Sequence, residues 1–284
     1  MTLRGHVTAA RARLVAAGID AADASRDAVL LGRHVLGWDA AAWLTHEVDP
    51  APPGFEGPFA ALVERRAARE PVAYIRGVQE FWGREFLTSP AVLIPRPETE
   101  LIIEYALQHC LPVGQAATVC DIGTGSGCLA VTLTAERPRA RMVATDVSEE
   151  ALNVARANAA RLGVADRIAF RVGAYLAGAG ERFDLIVSNP PYVTDRDYAT
   201  LEPEVRAFEP HLALAAGPDG LRDIREILKL CTNALTPGGV LLMEIGHQHA
   251  DPVCALVAAT PSLQLLEIRN DLQGIPRIVV AQHD

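Results

Sequence analysis

Over roughly the first 70 residues, apolar positions recur at helical spacing between short polar breaks. Leu14 and Val15 fall late in one helix, which Thr8 can cap and Gly18 stops. Val29, Leu30, Leu31, Val35 and Leu36 belong to a second that starts after Asp23 and ends at Gly37. Trp43 and Leu44 lie in a third, opened by Asp39. Side-chain acceptors at helix starts and glycine at stops are the expected punctuation. Prolines and glycines between Pro50 and Pro58 interrupt the pattern, and one further helix, about 59–70, ends at Pro71. Residues 77–89 are rich in β-formers around Gly83-Arg84, which predicts a hairpin. Pro90, Pro95 and Pro97 follow. The pattern divides the chain into a helical domain over 1–75, a hairpin connector over 76–95 and a larger domain over 96–284, opened by a helix over 98–109.

From residue 118 onward, strands and helices alternate. Strands are predicted at 118–122, 141–147, 168–172, 183–188 and 240–245, and helices at 128–136, 149–161 and 219–235. Continuous apolar strands between helices imply an α/β fold, a mostly parallel Rossmann-like sheet covered on both faces. Two late strands, 263–268 and 277–280, show no helix pattern between them and are expected to pair antiparallel at one edge.

Composition narrows the classes. The chain has 284 residues, 50% hydrophobic and 21% charged, which excludes a disordered chain and suits about two domains. No apolar run is long enough to span a membrane, and the first 20 residues lack the apolar core of a secretory signal. Cys110, Cys120, Cys128, Cys231 and Cys254 are scattered and contain no CxxC pair, so neither a disulfide framework nor structural zinc is expected, and a reducing cytoplasm fits. His247 and His249 have no third ligand at sensible spacing, so no metal is expected. A net charge of −9 argues against a protein that clings to nucleic-acid phosphates.

Two segments carry chemistry. The first, Val119-Cys-Asp-Ile-Gly-Thr-Gly-Ser-Gly-Cys128, lies between a predicted strand and a predicted helix. Gly123, Gly125 and Gly127 permit a tight turn and close approach of a ligand. A dinucleotide fingerprint is spaced G-x-G-x-x-G; here the spacing is G-x-G-x-G, with Asp121 just before it. A carboxylate there repels a pyrophosphate but pairs with an amino group. Asp146, ending the next strand, can accept from both hydroxyls of a ribose, while Ser148 is available to cap the following helix. Loop and carboxylates together suggest S-adenosylmethionine.

The second segment, Phe183-Asp-Leu-Ile-Val-Ser-Asn-Pro-Pro-Tyr192, runs an apolar strand straight into Asn189-Pro190-Pro191-Tyr192. In an open parallel sheet this tetrapeptide falls at the same edge as the glycine loop. An amide or exocyclic amino nitrogen has a delocalised lone pair and is a poor nucleophile. The Asn189 side-chain oxygen and the Pro190 carbonyl can accept its two hydrogens, orient it and stabilise positive charge growing on it. The prolines lock φ, and Tyr192 offers a face for stacking.

With Glu70-Pro-Val-Ala-Tyr-Ile-Arg-Gly77, Glu80-Phe-Trp82, Leu93-Ile-Pro-Arg-Pro-Glu-Thr-Glu100 and Phe208-Glu-Pro210, these segments resemble the release factor glutamine methyltransferase family, from about residue 70 to the C-terminus. The resemblance implies a class I S-adenosylmethionine-dependent methyltransferase. Its implied reaction is methylation of N5 of the glutamine in the Gly-Gly-Gln motif of class 1 peptide chain release factors, in the cytoplasm, with no direct contact with nucleic acid or membrane. By position it implies that Asp121, Gly123, Thr124, Gly125, Ser126, Gly127, Asp146, Tyr175 and Asn189 hold the cofactor. Asn189, Pro190, Pro191 and Tyr192 would hold the substrate glutamine, Asn189 and Pro190 being the catalytic pair, and the N-terminal helices would dock the substrate. One departure stands out: an acidic residue usual before the aromatic near the adenine is Ala174 here, next to Tyr175. The alternative is methylation of DNA or RNA base amino groups, since NPPY is shared with such enzymes. From another class, a binding module without catalysis would also carry the loop. Arg96 and Glu98 either order the connector, which is the favoured reading, or line the substrate entrance. Glu202, Glu204, Arg206, Glu209 and His211 form a polar segment, either substrate groove or solvated surface.

Overall fold

A computed structural model describes residues 1–176 and 180–284. The chain divides into two units, Met1–Val78 with Glu202–Phe208, and Gln79–Leu201 with Glu209–Asp284.

The first unit contains α1 (Leu3–Ala16), α2 (Ala21–Leu36), α3 (Ala40–His46), α4 (Glu56–Ala67) and α5 (Val72–Arg76). Two helices start earlier than their patterns suggest, because better caps precede them. Thr2 accepts from Gly5 N at 3.2 Å, which leaves Thr8 inside α1, where its hydroxyl donates to Arg4 O. Asp20, rather than Asp23, caps α2 by accepting from Ala22 N. The helix α4 also begins early, at Glu56, but without a side-chain cap, and Arg69 in the left-handed region lies just beyond its end. Beyond α4, Pro71 is the N-cap residue of α5, a short helix that the pattern does not predict. Leu14, Leu31, Trp43, Phe55, Phe59 and Ile75 form the core, with the rings of Phe55 and Phe59 stacked at 4.9 Å.

A hairpin follows, β1 (Val78–Phe81) and β2 (Arg84–Leu87). Its turn residues are Trp82 and Gly83, both at positive φ, as a tight hairpin turn requires. The helix expected over 98–109 is broken into a 3₁₀ turn (Pro97–Thr99), α6 (Glu100–Tyr105) and a π-helical turn (Ala106–Cys110). Then come β3 (Ala117–Ile122), α7 (Cys128–Glu136), β4 (Ala140–Asp146), α8 (Glu149–Arg161), β5 (Ile168–Val172) and β6 (Phe183–Ser188). The short helices α9 (Asp195–Tyr198) and α10 (Pro203–Phe208) precede α11 (Arg222–Ala234), β7 (Leu235–Glu244), α12 (Ala250–Ala259), β8 (Leu263–Asn270) and β9 (Pro276–His283). The helix α12 has no counterpart in the sequence pattern. Val253 and Val257 are its buried positions, but the alanines, Cys254 and Leu256 around them blur the spacing.

The seven strands run in the order β5-β4-β3-β6-β7-β9-β8, parallel except for β9, which is antiparallel to both neighbours. The edge pair is therefore antiparallel, as the pattern predicts. Alternate residues of β3 and β6 are buried on opposite faces, Val119, Leu185 and Val187 in one cluster and Cys120, Ile122 and Ile186 in the other. Burial on both faces explains why these strands read as continuous apolar runs. No described helix is long and apolar enough to cross a membrane.

The first unit also holds a chain of charges. Arg66 and Asp27 are both almost fully buried and pair at 2.7 Å. Arg66 also reaches Glu204 of α10 at 3.0 Å, and Glu204 accepts from Arg69 Nε at 2.8 Å. Burial pushes the Asp27 carboxyl up, more than Arg66 pulls it down. The polar segment after NPPY is thus neither groove nor solvated surface at Glu204.

Candidate active site

The strands β3 and β6 are adjacent and parallel, with Ile122 opposite Ser188. Strand order reverses between them, and ligands bind outside the carboxyl ends of strands at such a switch point. The Ser188 hydroxyl donates to Ile122 O at 2.8 Å, so the two loops leave from one pinned position.

Backbone bonds shape the glycine loop. Gly123 N and Thr124 N both donate to Thr145 O at 2.9 Å, and Gly127 N donates to Thr124 O at 2.8 Å. Gly123, Gly125 and Gly127 all have positive φ. At Gly123 a Cβ would meet nothing within 4 Å, whereas at Gly127 it would lie 3.1 Å from the Ala155 Cβ. The first glycine serves the turn and the last serves packing of α7 against α8. Asn158 of α8 supports the loop from behind, donating to Ser126 O at 2.8 Å and accepting from Leu87 N at 2.7 Å.

Asp121 is buried beneath this loop. Its Oδ2 accepts from the Thr124 hydroxyl at 2.7 Å and Ala130 N at 3.1 Å, while Oδ1 has no hydrogen-bond partner among the described residues. Burial pushes its carboxyl up to about 7, against the pull of those two donors. Asp146 accepts from Gly125 N and Ser148 N, each at 2.9 Å, so it ties the loop to the end of β4. Ser148 caps α8 by accepting from Ala151 N, as expected.

On the other side, Asn189 Nδ2 donates to Thr99 Oγ1 at 3.0 Å. Thr99 in turn donates its hydrogen to Glu244 Oε2 at 2.6 Å, and Tyr192 donates to Glu244 Oε1 at 3.1 Å. Because the Thr99 hydrogen is committed, Thr99 can only accept from Asn189. That fixes the amide with its nitrogen toward Thr99 and leaves Oδ1 as the available acceptor. Glu244, at the end of β7, is fully buried, and burial pushes its carboxyl up to about 6. Gly220 and Gly246 make room for Tyr192: a Cβ at Gly220 would collide with the Tyr192 carbonyl, and one at Gly246 would come within 3.2 Å of the ring.

One cavity of about 470 Å³ gathers Asp121, Gly123, Thr124, Gly125, Ser126, Asp146, Tyr175, Asn189, Pro190 and Pro191. Gly127 and Tyr192 do not line it, being taken up by helix packing and by Glu244 respectively. The cavity also takes in Arg96, which pairs with buried Glu209; Glu209 in turn accepts from Ile94 N at 3.1 Å. Arg96 thus both orders its segment and faces the cavity. Cys128 lines the wall, and burial pushes its thiol up to about 12, which disfavours the thiolate a nucleophile needs. Sequence reasoning missed Thr99, Glu244 and Asn158, which brace the site, and Asp223, which also lines the cavity. Thr99 lies within the segment 93–100, where nothing in the spacing assigns it a role, and the others carry no local signal. No described cluster of His, Cys, Asp and Glu could hold a metal ion.

Residues 7–77 match the family described as PrmC N-terminal domain, and residues 103–207 the family described as Methyltransferase small domain. The methyltransferase from Pyrococcus furiosus shares the fold, with a TM-score of 0.52 at 19% identity, over 79% of this chain and 96% of that one. The release factor glutamine methyltransferase of Koribacter versatilis is 41% identical over 284 residues, 99% of each chain. That of Cereibacter sphaeroides is 48% identical over 274 residues, 96% of each. With such identity along nearly its whole length, the chain belongs to the release factor glutamine methyltransferase family.

Proposed function

We infer that this chain transfers a methyl group from S-adenosylmethionine to the side-chain amide of a glutamine in a release factor, at N5 in the Gly-Gly-Gln motif of class 1 factors, in the cytoplasm. The observation that carries the reading is the fixed amide of Asn189, whose Oδ1 is left as an acceptor beside Pro190 in the cavity that also holds the glycine loop. S-adenosylmethionine supplies an electrophilic methyl group on a sulfonium when bound. The residues suit it: the orphan Oδ1 of Asp121 would accept from an ammonium, and Asp146, at the end of β4, would accept from ribose hydroxyls.

The chain's own residues do the rest. Asn189 Oδ1 and the Pro190 carbonyl accept the two amide hydrogens of the glutamine. They direct the nitrogen lone pair and grow stronger as acceptors when positive charge develops on nitrogen. Pro190 and Pro191 hold the carbonyl direction without adjustment. No general base is needed, because the proton leaves to water after transfer. Incubation with tritiated cofactor and, in parallel, a release factor, transfer RNA, ribosomal RNA and DNA tests the reading. Label on the glutamine amide of the release factor supports it; label confined to nucleic acid overturns it in favour of base methylation.

Asp121 gives the cofactor reading a pH signature. Its carboxyl titrates near 7 in the free protein, and only the ionised form attracts an ammonium. Affinity for S-adenosylmethionine is expected to climb as pH rises from about 6 to about 7.5, below the range where an α-amino group loses its own proton. Calorimetry across that range should show the climb in the wild type and a flat profile in Asp121→Asn; equal profiles would rule the contact out.

A single glutamine offers little binding area, so selectivity requires a wider docking surface, and the first unit carries no catalytic segment. Leu44 is 73% and Val48 54% exposed there, an apolar pair that a partner would cover. The double substitution Leu44→Asp, Val48→Asp is expected to raise KM for the folded release factor several-fold. Both kcat and cofactor affinity should stay the same, the mark of lost uniform binding. An unchanged KM would remove docking from this part of the unit.

A further inference from the structure

Beyond Asp146 the cavity wall continues through Gly173, Ala174 and Tyr175 to Asp223 and Ile227 of α11. Hydrogen bonds set the order along it. Gly173 N donates to Asp146 O at 2.9 Å, the Thr145 hydroxyl donates to Tyr175 O, and the Tyr175 phenol donates to Asp223 Oδ1 at 3.0 Å. With the ammonium at Asp121 and the ribose at Asp146, adenine falls on the stretch from Gly173 to Asp223. This step rests on the cofactor reading given above.

Adenine presents an exocyclic amino group as its donor, and that group distinguishes it from a 6-oxo purine. Ala174 has no side-chain acceptor to offer. Val147, nearly half exposed, and Ile227 supply apolar surface for the ring. Among the described residues the cavity has three carboxylates, Asp121, Asp146 and Asp223. The first two are assigned to the other end of the cofactor. Asp223 has a side chain only 14% exposed. It accepts from Tyr175 on Oδ1 and from Arg222 Nη2 at 3.0 Å on Oδ2, and each oxygen keeps further acceptor capacity. Tyr175 stands at φ +51, a conformation that bulky residues seldom adopt and that persists where the surroundings impose it. Its phenol is thereby fixed against the carboxylate.

We propose that Asp223 selects the adenine base of the cofactor by accepting its exocyclic amino group, and that Tyr175 is the positioning residue that aims the carboxylate. A 6-oxo base would set an oxygen against that carboxylate and be rejected by repulsion as well as by the missing donor.

Calorimetry of the full chain with S-adenosylhomocysteine and its inosine analogue tests the assignment without requiring turnover. The wild type is expected to prefer the adenosine form by at least about tenfold, a reasonable size for one charged hydrogen bond. Asp223→Asn presents either an acceptor or a donor, so the preference should collapse toward unity. Tyr175→Phe should lower it several-fold by freeing the carboxylate. A wild type that binds neither compound overturns the cofactor reading and the proposal with it. A wild type that discriminates, with both variants keeping the same ratio, overturns the proposal alone.

Discussion

Asn189→Ala is expected to lower kcat by roughly 10²- to 10³-fold, the scale of losing one preorganised acceptor or donor at a site of developing charge. The unfolding midpoint should barely move, because Asn189 is only partly buried and the partner it leaves, Thr99, stays satisfied by Glu244. Cofactor affinity should change much less than kcat, since the amide works on charge that appears during transfer. Asn189→Asp retains acceptor oxygens but loses the donor to Thr99, and two carboxylates then compete for the one Thr99 hydrogen. It should therefore fall well below the wild type as well. Single-turnover rates with saturating cofactor separate these effects; an Ala variant within about threefold of wild type would reduce NPPY to a strand terminator.

Arg66→Met is expected to cost about 3–5 kcal/mol, the usual penalty for stripping the partner from a buried charge. Methionine keeps most of the aliphatic stem, so the loss reports the charge rather than a cavity. Asp27 would be left buried with only the exposed Arg26 as a cation, 3.7 Å from an oxygen that has no hydrogen bond among the described residues. Its folded-state carboxyl is raised even with Arg66 present, and without that cation it should rise further. A raised folded-state carboxyl contributes stability at low pH and loses it as pH climbs through its folded value. The deficit of Arg66→Met should accordingly shrink on acidification, and adding Asp27→Asn should recover part of it. Denaturant unfolding at two pH values gives both answers; a loss below about 1 kcal/mol at neutral pH would mean that the pair is solvated.

The glycine loop, Asp146 and the NPPY segment could be read from the chain because each is a local arrangement at the end of an apolar strand. The strands themselves were legible for the same reason, being buried on both faces. Thr99, Glu244 and Asp223 were not. Thr99 lies 90 residues from Asn189 and 145 from Glu244, and nothing in the spacing of either announces that the fold brings them together. Glu244 reads only as the polar end of an apolar strand. Helix starts at Thr2 and Asp20 were displaced toward Thr8 and Asp23 because residues of capping type stand at both places, and only backbone geometry decides which accepts a bond. Glu204 reads as one more surface carboxylate until Arg66 and Arg69 are seen around it.

The first unit is assembled from two stretches of sequence, Met1–Val78 and Glu202–Phe208. It is therefore not a bead that can be cut from the chain at one joint. A chimera that swaps residues 1–78 with those of a relative inherits the recipient's acidic stretch around Glu204 but receives foreign cations in place of Arg66 and Arg69. Compatible exchange has to carry both pieces, so recombination within this family should favour joints that keep the arginines and the glutamate from the same parent. Libraries built by crossing over once near residue 78 should be poorer in stable members than libraries in which 202–208 travels with the N-terminal part.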